Sequence, residues 1–232
     1  MRAPRARLAR PTVSPFPLVV FDLDGTLVDS TEDLRTAMNA VVAELRPEAP
    51  PLSYDQVRGF VGEGAAHLVS RSLAASGIDP PPLDVLPRFL AVYRSHLLET
   101  TYLYPGVAEA LDGLGRSALA VLTNKPGDLA REILKALGIL DRFFRVVGGG
   151  DVSARKPDPG GLLDLLGEVH ARPGETLMVG DSAIDVRTGR AASTFTAGVL
   201  YGLDPAGVRA EKPDFLVAEA REIPNLGPST RP

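Results

Sequence analysis

The 232-residue chain contains no cysteine. Disulfides, thiolate nucleophiles and cysteine-based zinc sites are therefore excluded, and the composition fits a reducing compartment. Histidine is nearly absent too: His67, His96 and His170 have neither the spacing nor the neighbours of a metal site. No apolar run approaches the ~20 residues of a membrane span. There is no basic excess either, since the net charge is -4, so nothing calls for a nucleic-acid partner. Lysine is scarce, with only Lys125, Lys135, Lys156 and Lys212 against many arginines. The chain shows no internal repeat and no heptad run.

What is present is ordinary for a globular protein: 44% hydrophobic and 23% charged residues. The length suffices for one large domain or two smaller ones around a substantial core. The first seventeen residues carry four arginines and four prolines without an apolar run of signal-peptide length. Residues 1–15 are expected to be a disordered tail in preference to an Arg-rich targeting segment, and a misplaced start codon would leave the same pattern. A cytoplasmic location is the expectation.

Short apolar runs bounded by turn residues read as buried strands at Leu18–Phe21, Ala118–Leu122, Phe144–Val147, Thr176–Val179, Phe195–Leu200 and Phe215–Val217. Continuous apolar runs, not alternating ones, suit a parallel sheet covered on both faces. Helical patterns lie between them at Val107–Leu114, Gly127–Leu137, Gly161–Val169 and Ile184–Ala192. This alternation predicts a doubly wound, mostly parallel α/β core. It is broken from about Ser30 to Thr101, where only helices are predicted. Ser30-Thr31-Glu32-Asp33 resembles a capping box that opens a helix through Leu45. Helices over Asp55–Ala75 and Asp84–Leu98 follow, separated by Pro/Gly clusters. The expected organisation is an α/β core from residues 16–28 and 103–224, an inserted all-α domain over 29–102, and a flexible C-terminal tail over 225–232. The connections near Val28–Ser30 and Thr101–Pro105 are candidate hinges.

Ligands bind an open parallel sheet beyond the carboxyl ends of its strands. The first strand ends in Asp22 and Asp24, another in Thr123-Asn124-Lys125, and a third in Gly180-Asp181-Ser182, with Asp185 three residues on. Lys156 lies in the loop over residues 153–160. Carboxylates gathered at one edge repel unless a cation neutralises them. Oxygen-only ligands point to a hard cation, Mg²⁺ first, which commonly pairs carboxylates with a substrate phosphate. A threonine hydroxyl, backbone N–H groups and a lysine ammonium would complement that phosphate.

FDLDGTLVDS, LTNK, the lysine of ARKPDP and GDSAID, in this order, resemble the four motifs of the haloacid-dehalogenase-like superfamily, over about Phe16 to Val217. The resemblance implies a Rossmann-like core with a helical cap domain at the position of the insert. It implies Asp22 as nucleophile, forming an aspartyl-phosphate, and Asp24 as general acid and then general base. It further implies Mg²⁺ held by Asp22, the Asp24 backbone carbonyl, Asp181 and, directly or through water, Asp185. Thr123 and the Asn124 amide would hold the phosphoryl group, Lys156 would offset charge, and Gly25 would permit the turn after the strand. FVGEGAAHLVSRSL, LYPGV, LTNKPG, GGGDVSARKPDP and AGVLYG resemble, within the superfamily, the phosphoglycolate-phosphatase-like group. The substrate this implies is a small phosphorylated metabolite, 2-phosphoglycolate first, for a monomer or homodimer. A phosphosugar mutase, or a phosphatase for a sugar phosphate or pyrophosphate, shares the core motifs. Asp24 argues against dehalogenation, which has no alkoxide to protonate.

Other residues carry weaker expectations. Gly62-Glu63-Gly64 reads equally as a loop over the site, where N–H groups would meet an anion, or as a plain helix start. Glu63 and Gly64 are taken as substrate-binding candidates, with Arg58, His67 and Arg71 as specificity candidates. Asp29 and Ser30 read as a helix cap, and Asp185 is also compatible with capping the helix that follows it.

Overall fold

The computed structural model describes residues 14–79 and 82–228. The chain runs through β1 (Leu18–Phe21), β2 (Val28–Asp29), α1 (Thr31–Leu45), α2 (Tyr54–Arg58), α3 (Ala65–Ala75), α4 (Val85–His96) and β3 (Tyr102–Leu103). It continues through α5 (Val107–Gly113), β4 (Ala118–Leu122), α6 (Gly127–Ala136), β5 (Arg145–Val147), α7 (Gly160–Glu168) and β6 (Thr176–Gly180). The last elements are α8 (Ala183–Ala191), β7 (Phe195–Val199), α9 (Pro205–Glu211) and β8 (Phe215–Val217). Six strands form one parallel sheet in the order β5-β4-β1-β6-β7-β8, so the doubly wound α/β expectation holds.

The two-residue period of a strand sorts its side chains into two layers. Val19, Phe21, Leu119, Val121, Leu177 and Val179 join one cluster with α5 and α6 through Val107, Leu111, Ala130 and Ile133. Leu18, Val20, Ala120, Leu122 and Met178 face the opposite way, onto Leu162, Leu165 and Leu166 of α7. Both faces are covered, which is why these segments read as unbroken apolar runs. β1 lies between β4 and β6, so the chain winds outward from it in both directions and a crevice opens at its carboxyl end.

Helices α1 to α4 have a third cluster. Leu34, Ala37, Met38, Val41 and Val42 follow the i, i+3, i+4 spacing of a buried helix stripe and pack with Leu73, Val85, Phe89 and Tyr93. Leu129 of α6 joins this cluster and carries it onto the α/β layer. Both covalent connections pass through one antiparallel ribbon, with Val28 opposite Leu103 and Asp29 opposite Tyr102.

Two local expectations are corrected. No capping box forms at Ser30; its hydroxyl instead donates to Asp24 Oδ1 at 2.6 Å. Asp33 turns away from the helix start and accepts from the backbone N–H and hydroxyl groups of both Thr100 and Thr101. These bonds fasten the first turn of α1 to the segment leading into β3, a tertiary use that outweighs a local cap; Asp29 does the capping, accepting from Thr31 N at 3.0 Å. The predicted helix over Asp55–Ala75 is two helices, because Gly62 and Gly64 adopt φ values of +118° and +94° that break the ladder. Of the expected N-terminal tail, residues 1–13 lie outside the described residues, and Ser14 is buried. Of the C-terminal one, residues 229–232 lie outside them, and Leu226 packs against the main cluster. Among the described residues no helix is long and apolar enough to cross a membrane.

Candidate active site

β1 ends on Phe21, and the next N–H still belongs to the sheet: Asp22 N donates to Val179 O at 2.9 Å. β4 ends likewise, with Thr123 N donating to Val147 O at 2.9 Å. The sheet thus holds Asp22 and Thr123 on rigid backbone at neighbouring strand ends. After Asp22 the chain turns sharply through Gly25, at φ +86°, where a Cβ would overlap the Asp181 carboxylate. Gly25→Ala is expected to cost about 1–2 kcal/mol from the left-handed backbone alone. It should also displace Asp181, lowering kcat roughly 10²-fold if the shift is near 1 Å. Thermal unfolding and steady-state turnover check the two parts separately.

Four charged groups meet below the turn. Lys156 Nζ lies 2.8 Å from Asp22 Oδ1 and 2.6 Å from Asp185 Oδ1. Asp185 Oδ2 accepts from Ser182 N and Oγ, so this carboxylate caps α8 with one oxygen and meets Lys156 with the other. Asp181 accepts from Leu203 N at 2.7 Å and from Thr26 Oγ1 at 3.2 Å. Carboxylate oxygens of Asp22, Asp181 and Asp185 lie within 4.8 Å of one another, all buried. Burial and the neighbouring Asp185 push Asp22 up to about 6 despite Lys156. Burial, then Asp185 and Asp22, push Asp181 well above the carboxylate range. Lys156 is held above the lysine range: burial opposes its charge, but Asp185 and Asp22 outweigh that. One ammonium among three carboxylates leaves negative charge uncompensated, and an all-oxygen donor set suits a hard divalent cation such as Mg²⁺. The residues fit that group.

Asp24 faces elsewhere. Its carboxylate accepts from Lys125 Nζ at 3.1 Å on each oxygen and from Ser30 Oγ, apart from the three-carboxylate cluster. Only its backbone carbonyl would serve as the metal ligand expected of it. Asn124 Nδ2 donates to Gly62 O at 3.0 Å and Lys156 O at 3.1 Å, so a role toward a phosphoryl group would fall to its backbone N–H.

A cavity joins these groups to the helical insert. Asp22, Asp24, Thr123, Asn124 and Lys125 line one side. Leu34, Val61, Ala65, Leu68, Phe89 and Leu90 form the wall opposite, with Gly62 and Gly64 at the edge. Glu63 is not brought to the cavity; it is exposed and pairs with His67 at 3.4 Å. Arg71 lies over the Phe60 ring. Arg58 reaches across to donate to Gly202 O and Leu203 O, on the segment that also binds Asp181. Sequence reasoning placed Lys125 at a strand end of the site without giving it a role, and it missed Tyr93. Lysine scarcity marked Lys125, whereas nothing in the sequence marked Tyr93, which arrives from α4.

Comparison with known proteins follows the same lines. Residues 19–199 match the model of the haloacid dehalogenase-like hydrolase family. A phosphoglycolate phosphatase from Rhodospirillum rubrum is 41% identical over 193 residues, 79% of each chain. One from Pseudomonas putida is 37% identical over 216 residues, 89% of this chain and 78% of that one. A crystal structure from Haemophilus somnus, described as a predicted phosphoglycolate phosphatase, superposes with a TM-score of 0.83. It is 30% identical, and the alignment covers 90% of this chain and 97% of that one.

Proposed function

We infer, since this chain belongs to the haloacid dehalogenase-like hydrolase family, that it is a Mg²⁺-dependent phosphatase for a small phosphomonoester, with 2-phosphoglycolate as the leading candidate. The observation that carries the reading is the Asp22 carboxylate, fixed at the end of β1, ion-paired to Lys156 and open to the cavity. In this reading Asp22 attacks phosphorus while the bond to the ester oxygen breaks, giving an aspartyl-phosphate. Asp24 gives its proton to the departing alcohol, then takes one from the water that attacks the aspartyl-phosphate, releasing phosphate and restoring Asp22. Thr123 and the Asn124 backbone N–H orient the phosphoryl oxygens, and Lys156 balances its charge. Mg²⁺, held by Asp22, the Asp24 carbonyl, Asp181 and Asp185, would neutralise the cluster and polarise the phosphoryl group. The helical insert serves as a cap that excludes water during transfer.

The test is a phosphate-release panel of 2-phosphoglycolate, hexose phosphates, pyrophosphate and nucleotides, each with Mg²⁺ and with chelator. Phosphoglycolate is expected to show the largest kcat/KM, chelation to abolish release, and added Mg²⁺ to restore it. Conversion of β-glucose 1-phosphate to glucose 6-phosphate without free phosphate would favour the mutase instead. Turnover of no phosphomonoester would sink the reading.

A further inference from the structure

We propose that Lys125 is a positioning residue that ties the orientation of the Asp24 carboxylate to the seating of α4 over the site, an inference that rests on the acid–base role given to Asp24. Lys125 Nζ lies 3.1 Å from each Asp24 oxygen, 2.8 Å from the Tyr93 hydroxyl and 3.4 Å from Ser30 Oγ. An ammonium has three protons, and here its partners come from three segments: the turn after β1, the entrance to α1, and α4. The lysine is buried while α4 is in place.

The geometry also makes the two Asp24 oxygens unequal. Among the described residues, Oδ1 accepts from both Ser30 and Lys125, whereas Oδ2 accepts from Lys125 alone. The clamp therefore fixes the plane of the carboxylate and leaves Oδ2 with more lone-pair capacity for exchanging a proton with an ester or water oxygen. Tyr93 belongs to the core of the insert, stacked on Phe89 at 5.9 Å with rings nearly parallel. Its hydroxyl can hold Lys125 only while α4 is seated. Other insert-to-core bridges among the described residues, Gly62 O with Asn124, Arg58 with Gly202 and Leu203, and Arg94 with Asp128 and Glu132, do not touch an acid–base group. Lys125 is where seating of the insert meets proton transfer.

A purely structural ion pair is the competing account, and leaving-group dependence separates the two. An alkyl ester needs a proton on its departing oxygen; p-nitrophenyl phosphate does not. Lys125→Met is expected to lower kcat/KM, which reports aspartyl-phosphate formation and not its later hydrolysis, roughly 10²-fold for 2-phosphoglycolate and no more than about threefold for p-nitrophenyl phosphate. Tyr93→Phe keeps the ring and removes only the hydroxyl. It should lower the alkyl kcat/KM about fivefold, with no added effect in the Lys125→Met background. Equal losses on both esters would overturn the positioning role, and additive losses would overturn the link to α4. If Lys125→Met fails to fold, Tyr93→Phe alone decides by the same ester comparison. Asp24→Asn serves as the reference. If it discriminates the esters and Lys125→Met does not, this inference falls and the acid–base reading stands. If Asp24→Asn treats both alike, the reading itself falls and takes the inference with it.

Discussion

Asp22→Asn is expected to lower phosphate release by roughly 10⁴-fold or more, the scale seen when a covalent nucleophile is removed. An amide of nearly the same shape cannot attack phosphorus, whereas the other groups of the cavity stay in place. Folding should survive the change, because Lys156 keeps Asp185 as a partner at 2.6 Å. The substitution also deletes one of three carboxylates whose mutual repulsion, with burial, raises Asp22 and Asp181. The unfolding midpoint should therefore hold or rise even as turnover disappears. Paired kinetic and denaturation curves check this, with mass spectrometry of acid-quenched wild-type enzyme for the phosphorylated peptide. A variant within tenfold of wild type would exclude the covalent route.

Lys156→Met should give the largest loss of stability. Its side chain is 2% exposed and bridges Asp22 and Asp185, and removing one partner of a buried pair costs about 3–5 kcal/mol. Here a single lysine balances more than one carboxylate, so the upper part of that range is expected in urea unfolding without metal. Turnover should fall with it, since nucleophile and phosphate lose their shared counter-charge. Mg²⁺ at about 100 times its dissociation constant should return roughly 2.7 kcal/mol, because it binds only the folded cluster. Lys156→Arg should not rescue, as a planar guanidinium does not fit the space of a compact ammonium. A loss below about 1 kcal/mol would mean that the carboxylates are neutralised in some other way.

The parts of the fold that were legible share one property: each is decided within a short window. The core strands at Leu18–Phe21 and Ala118–Leu122 are apolar runs whose ends coincide with a polar residue, so motif and boundary were read together. Helix α1 was predicted from a capping box that does not form, yet the helix is there, held by a stripe at 34, 37, 38, 41 and 42 that repeats every 3.6 residues. The failures are places where a distant partner took a group from its local use. Ser30 and Asp33 have the spacing of a capping box, yet one goes to Asp24 and the other to Thr100 and Thr101. Glu63 sits in a glycine-rich stretch that does reach the cavity, but its own side chain points to His67.

The sequence by itself determined the alternating α/β layering, the place of the helical insert, and the chemical groups at the carboxyl ends of β1, β4 and β6. Those follow from periodicity and from side-chain type, which a short segment carries regardless of its surroundings. Tertiary structure alone decided which carboxylates share a cation and which share a clamp: Asp22 and Asp185 meet on Lys156, while Asp24, two residues from Asp22, turns to Ser30 and to Lys125, which in turn meets Tyr93. Neighbours at positions 22 and 24 project differently once the chain leaves the strand and turns at Gly25. What each then meets depends on the residues that other strand ends and α4 bring within hydrogen-bond reach, a matter of packing that no local pattern encodes.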